Sequence, residues 1–146
     1  MFKHILVPTD GSPLSERAVH GAIALAKENG ARITALFAEP EFHAYFVEGL
    51  AIDATVWQKT ADLVEAETAK VLGFVEEACK AADVPCTKLA IRTMVPYEAI
   101  IDAADKGGCD LIFMASHGRR GLNALLLGSE TVKVLTHSKI PVLVYR

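Results

Sequence analysis

Five short, largely apolar runs recur along the chain, and a helix-length stretch separates each from the next. They are Phe2–Val7, Ala31–Ala38, Cys86–Arg92, Leu111–Met114 and Ile140–Tyr145. Each is strand-sized, carries Ile, Val, Leu or Phe, and is bounded by proline, glycine or polar residues. A strand apolar on both sides needs a cover on both faces, and helical crossovers supply it. The alternation therefore predicts an α/β fold: one doubly wound domain, a five-stranded parallel sheet with helices on both faces. Such sheets hold ligands at the carboxyl ends of their strands, where the strand order reverses.

The intervening stretches carry helix signals. Ser12 is placed to cap a first helix, and Pro13 suits its first position. Leu14, Ala18, Ala22, Leu25 and Ala26 share one face, and Asn29-Gly30 stops the run. Trp57 to Ala82 repeats apolar residues at three and four: Trp57, Ala61, Val64, Thr68, Val71, Leu72, Val75, Ala78 and Ala82. Its charges, Glu67 and Glu76 among them, read as a solvated face. Pro96 opens a third helix with Ala99, Ile100, Ala103 and Ala104 inward, and Gly107-Gly108 ends it. A fourth runs from Ser129 to His137 with Val132 and Leu135 inward. Glu39 to Thr55 has no clear period but holds Phe42, Tyr45, Phe46 and Leu50. It reads as a lid over a ligand, a partner contact or a short packed helix.

Length and charge narrow the functional classes. A chain of 146 residues, 51% hydrophobic, is one domain, large enough to bury roughly 70% of its unfolded surface. A formal net charge of −3 leaves no global basic footprint for nucleic acid or an anionic membrane. The first residues read as neither a signal peptide nor a spanning segment. Cys79, Cys86 and Cys109 are an odd count at no metal spacing. They read as reduced, buried thiols of a cytoplasmic protein, with a redox role as the alternative. His4, His20, His43 and His137 show no ligand spacing, so no protein metal site is expected.

The chemistry concentrates after the fourth run. Leu111–Met114 gives way to Ala115-Ser116-His117-Gly118, then Arg119-Arg120-Gly121, then Leu125–Leu127 and Gly128-Ser129. Strand, glycine-bearing loop and helix start together suit a phosphate: glycine admits backbone N–H groups and the helix end adds positive charge. The plain alternative is a connection whose glycines only turn. Asp10, after the first strand, can accept from ribose hydroxyls or an adenine amine, or simply form a turn with Gly11. Ser129 can offer hydroxyl and N–H to phosphate while capping its helix. Arg119 and Arg120 face either phosphate or solvent. Ser116-His117 does not read as a catalytic pair, because neighbours in extended chain point apart. No nucleophile–base–acid set and no Gly-x-x-x-x-Gly-Lys loop is visible, and Arg92-Thr93 does not complete a phospho-receiver site around Asp10.

Gly118 and Gly128-Ser129, with nine residues between the two glycines, resemble the nucleotide-binding pattern of the universal stress protein family. So do Ile5–Ser12 (ILVPTDGS) and Pro141–Val144, and the likeness covers essentially the whole chain. The pattern's first glycine is Ala115 here, and Met94 stands where many members have glycine. The resemblance implies strand order 3-2-1-4-5 and ATP, with Mg2+ held mainly by phosphates. It assigns to the nucleotide Pro8, Thr9, Asp10 and Ala38. From the fourth strand and loop it adds Ala115, Ser116, His117, Gly118, Arg119, Arg120, Gly121, Gly128, Ser129, Glu130 and Thr131. It further implies a homodimer joined through Ile140–Tyr145 and a regulatory role through an unknown protein partner. No dedicated enzyme is expected, though slow ATP hydrolysis fits. Ala115 favours weakened or altered nucleotide binding, or a member of the family that only mediates interactions. A methyl group there either crowds the sugar-phosphate or fits at negative φ.

Overall fold

The computed structural model describes residues 1–41, 53–119 and 126–146. Among these residues nine elements alternate: β1 (His4–Pro8), α1 (Pro13–Asn29), β2 (Arg32–Pro40), α2 (Ala54–Ala81), β3 (Cys86–Thr93), α3 (Pro96–Gly107), β4 (Leu111–Ala115), α4 (Ser129–His137) and β5 (Val142–Tyr145). The strands form one sheet in the order β3-β2-β1-β4-β5, and every described pair is parallel. The chain winds outward from β1 through β2 to β3, then crosses back to lay β4 on the other side of β1. The order therefore reverses between β1 and β4.

Side chains along the central strands alternate between two apolar layers, as the pleat requires. Ile5, Val7, Leu111, Phe113 and Ala115 pack with α1 and α2. Leu6, Ile112 and Met114 pack with α3 and α4. Both faces of β1 and β4 are thus dry, which explains their continuous apolar runs.

The local signals act as the sequence suggests. The Ser12 hydroxyl accepts from the Ser15 N–H at 3.3 Å and caps α1, with Pro13 in its first turn. Gly30 and Gly108, both left-handed at φ 62° and 65°, close α1 and α3. Two stretches differ from the pattern reading. β2 continues to Pro40 and Asp53 caps α2, so the ends of Glu39–Thr55 belong to regular elements. Phe42, Tyr45, Phe46 and Leu50 lie outside the described residues. On α4 the inward residues are Thr131 and Val134, while Val132 and Leu135 are 45% and 41% exposed. The helix phase is set at its start, where the Thr131 hydroxyl donates to the Ala115 carbonyl at 3.1 Å. That bond turns Val132 and Leu135 outward.

The amino end of the sheet is locked by polar groups. The Asp110 carboxylate accepts the Lys3 and His4 N–H groups at 2.8 and 3.0 Å, tying β1 to the start of β4. His4 is buried between Arg32, whose guanidinium donates to Nδ1 at 3.1 Å, and Thr34, 2.8 Å from Nε2. A guanidinium can only donate, so Nδ1 is unprotonated and Nε2–H donates to Thr34. Burial, then the Arg32 charge, push the imidazole below its ordinary value, with Gly107, Gly108 and Asp110 opposing.

Candidate functional site at the β1–β4 switch point

The loops after β1 and β4 meet where the strand order reverses. Asp10 follows β1, and its carboxylate spans the gap. Oδ1 accepts the Ser12 N–H at 2.9 Å, and Oδ2 accepts the Arg119 N–H at 2.8 Å. The second bond joins residues 109 positions apart in sequence. Burial would raise the Asp10 carboxyl, but donors from Ser12, Arg119 and Ser15 outweigh it and hold the group below the usual carboxylate range. A fixed anion therefore stands at the mouth of the crevice.

Gly118 makes that contact possible. A Cβ at position 118 would lie 2.2 Å from Asp10 Oδ2, closer than any real side chain stands. Gly128 serves the other end of the loop. Its N–H donates to the Ser116 carbonyl at 2.8 Å, and a Cβ there would meet the His117 Cα at 3.2 Å. The spacing of the two glycines thus closes the loop onto its own base while passing Gly118 under Asp10.

α4 starts directly from this closure. Gly128 is its N-cap and provides no side-chain cap, so the first-turn N–H groups are left to the loop side. Ser129, the first helical residue, is exposed. A helix end of this kind, beside glycine-bearing backbone, is where an anion is stabilised.

The remaining predicted residues divide. Thr9 is buried: its hydroxyl donates to Ser15 Oγ at 3.0 Å and accepts the Gly11 N–H. Pro8 and Ala38 are half-buried near the ends of the adjacent strands β1 and β2. Thr131 is turned inward to Ala115, as described. Glu130 reaches away from the loop, accepting the Tyr97 N–H at 2.9 Å and pairing with Lys133 at 3.0 Å. It thereby caps α3, whose own N-cap Val95 cannot. Arg119 extends over Gly11 to an ion pair with Glu67 of α2. Arg120 and Gly121 lie outside the described residues. Met94 is 55% exposed just beyond β3.

One expectation changes here. Ser116 Oγ and His117 Nδ1 lie 3.2 Å apart, not on opposite sides. Residue 116 is past the end of β4, where the chain has left the extended form that would separate them. Glu67 and Glu76 stay on the solvated face of α2, where they pair with Arg119 and with Lys88. Finally, the Ala115 methyl faces the α1–α2 layer and is 7% exposed, on the side of the sheet opposite α4. Sequence reasoning missed Ser15 and Glu67 as supports of the site. Ser15 had a readable signal, three residues after the Ser12 cap; Glu67 had none.

Comparison with known proteins adds the lineage. The family model described as "Universal stress protein family" matches residues 1–146. The chain belongs to the universal stress protein family. It is 32% identical to Universal stress protein MJ0531 of Methanocaldococcus jannaschii, over 100% of this chain and 83% of that protein. It is 33% identical to the universal stress protein of the QAH/OAS sulfhydrylase 3' region of Thermus aquaticus, over the whole of both chains. Among solved structures, that of MJ0577 superposes with a TM-score of 0.76 at 28% identity, covering 99% of this chain and 96% of that one. The universal stress family fold and the strand order agree with the expectation from the sequence.

Proposed function

We propose that this universal stress protein binds an adenine nucleotide in the β1–β4 crevice and uses its occupancy as a regulatory switch. The observation that carries the reading is the meeting of Asp10, Gly118 and the uncapped start of α4 at one point of strand reversal. Its parts suit the two ends of a nucleotide. Asp10 is ionised and retains unused lone pairs for ribose hydroxyls or an adenine amine. The N–H groups of Ser129 and its neighbours, with the Ser129 hydroxyl, suit phosphate. Structures of the same fold at 24%, 16% and 20% identity have been solved with cAMP, AMP and dAMP respectively. ATP is the proposed physiological ligand, with Mg2+ carried by its phosphates and the protein acting in the cytoplasm. Among the described residues no helix is long and apolar enough to cross a membrane.

The reading is of binding and not of turnover. Ser116 and His117 are in hydrogen-bond contact, yet no carboxylate among the described residues orients the imidazole, so the pair lacks the third member of a triad. ATP hydrolysis slower than about one turnover per second, the lower range of ordinary enzymes, is expected.

A homodimer through β5 belongs to the same proposal. Val142–Tyr145 form an edge strand, and all four are only half-buried. Val132 and Leu135 of α4 expose apolar surface on the neighbouring element. These observations also support a second reading, a family member that only mediates interactions.

The deciding experiment is to denature freshly purified protein, identify released nucleotide by chromatography, and titrate stripped protein with ATP, AMP and cAMP by calorimetry. Released adenine nucleotide, or binding lost in Asp10→Ala, supports the crevice. Absence of both nucleotide and heat favours the interaction module.

A further inference from the structure

Arg119 joins three parts of the protein at the carboxyl end of the sheet. Its main chain belongs to the loop after β4, and its N–H donates to Asp10 Oδ2, in the loop after β1, at 2.8 Å. Its side chain crosses Gly11 and ends in an ion pair with Glu67 of α2. The crossing is close. A Cβ on Gly11 would stand 3.0 Å from Arg119 Nη2 and 2.8 Å from Val71 Cγ2, so glycine, here at φ 74°, leaves room for both. Glu67 and Val71 are one turn apart on α2 and share a face. The β4 loop is therefore strapped to that face across the β1 loop.

The far end of the strap lies where α2 is least held. The helix runs 28 residues, Ala54–Ala81, and Val64 is its first buried residue. The residues before it are exposed or half-buried. Polar fastening comes at Glu67 and Thr68. Thr68 Oγ1 donates to Glu39 Oε1 of β2 at 2.6 Å, and Glu67 takes Arg119. Loss of one of these ties lowers the cost of opening the turns that precede it.

Arg119 also follows Gly118 directly, in the loop whose closure and helix start suit phosphate. A guanidinium forks onto phosphate oxygens as it does onto a carboxylate. The several charges of a polyphosphate outweigh the single charge of Glu67, whose side chain is 33% exposed. We propose, resting on nucleotide binding in the β1–β4 crevice, that Arg119 is a latch. Glu67 holds it in the ligand-free protein. The phosphates of a bound adenine nucleotide take it from Glu67 and so loosen the first turns of α2. Glu67 is then a positioning residue that competes with the ligand, and α2 is the element that reports occupancy. A nucleoside without phosphate has nothing with which to draw the latch.

Calorimetry with ATP and with adenosine on wild-type protein, Glu67→Gln, Arg119→Ala and the double variant tests one end of the strap. Exposed ion pairs shift equilibria by about 1.5- to 5-fold. Glu67→Gln should therefore tighten ATP about threefold and leave adenosine unchanged. In the Arg119→Ala background the same substitution should have no effect. Hydrogen exchange of residues 54–66, followed by mass spectrometry, reads the other end. It should run about threefold faster when ATP saturates wild-type protein, and equally fast in ligand-free Glu67→Gln, where ATP adds nothing. Equal ATP affinity in wild-type protein and Glu67→Gln would overturn the latch and leave the crevice standing. So would a gain shared by adenosine or kept without Arg119, or α2 exchange that ATP leaves unchanged or slows. No heat with either ligand in any variant would instead remove nucleotide binding itself, and the latch with it.

Discussion

Gly118 passes beneath the Asp10 carboxylate so closely that any Cβ would stand 2.2 Å from Oδ2. The same approach brings the Arg119 N–H to within 2.8 Å of that oxygen. The glycine is therefore a matter of space and not of left-handed backbone. Placing a methyl group there forces the carboxylate away and breaks the bond that ties the two loops.

Gly118→Ala should destabilise the protein by about 2 kcal/mol, the sum expected from crowding and a lost charge-assisted hydrogen bond. The cost should shrink to well under half in an Asp10→Ala background, where nothing remains to be displaced. Urea unfolding of the four proteins gives the double-mutant cycle. Equal costs in both backgrounds would show that the glycine is required for another reason.

Glu130 is predicted to hold α3 more than it holds ligand. Its carboxylate accepts the Tyr97 N–H at 2.9 Å at a helix start that lacks a cap of its own. Glu130→Ala should cost about 1 kcal/mol, a fall of roughly 2–4 °C in melting temperature for a chain of this size. Nucleotide affinity, measured by calorimetry, should change less than about threefold (~0.6 kcal/mol). A tenfold loss of affinity with unchanged melting would return Glu130 to the binding site.

Most of this architecture was legible because the signals were redundant. Ser12-Pro13, Gly30, Pro96 and Gly108 mark the ends of α1 and α3 in any environment. The continuous apolar runs of β1 and β4 can only belong to strands covered on both faces. What was not legible depended on tertiary phase. Thr131 looks like an anion ligand in sequence, yet its hydroxyl turns inward to Ala115, and this rotates Val132 and Leu135 to the surface. Glu67 is one acid among several on a solvated face until the fold brings Arg119 beside it. Nine residues of helix offer too few turns to fix a face from periodicity alone.

Acid should weaken the fold in two phases. His4 is held neutral, below its ordinary 6.5, by burial and Arg32. Its contribution is complete above that value and is lost as pH falls through the folded value, because the unfolded chain binds the proton first. Asp10 and Asp110 are both held below the ordinary carboxylate value of 3.8. Their contributions persist above it and vanish below. Urea midpoints measured from pH 8 to 3 should therefore begin to drop near pH 6.5 and drop again near pH 4. In His4→Gln the first phase should disappear and the second remain. A first phase that survives this substitution would assign it to another group.

The Ala115 methyl decides between two accounts of the altered glycine pattern. At the edge of the crevice, its removal would free space for the sugar-phosphate and raise affinity. In the structure it belongs to the layer beneath α1 and α2, opposite α4, and φ at this position is not positive. Ala115→Gly should then leave adenine-nucleotide affinity within about twofold (~0.4 kcal/mol). It should cost about 1–2 kcal/mol of stability through a lost buried methyl and a freer unfolded backbone. Calorimetric titration and urea unfolding of the same preparation separate the outcomes. A tenfold gain in affinity at unchanged stability would place the methyl against the ligand after all.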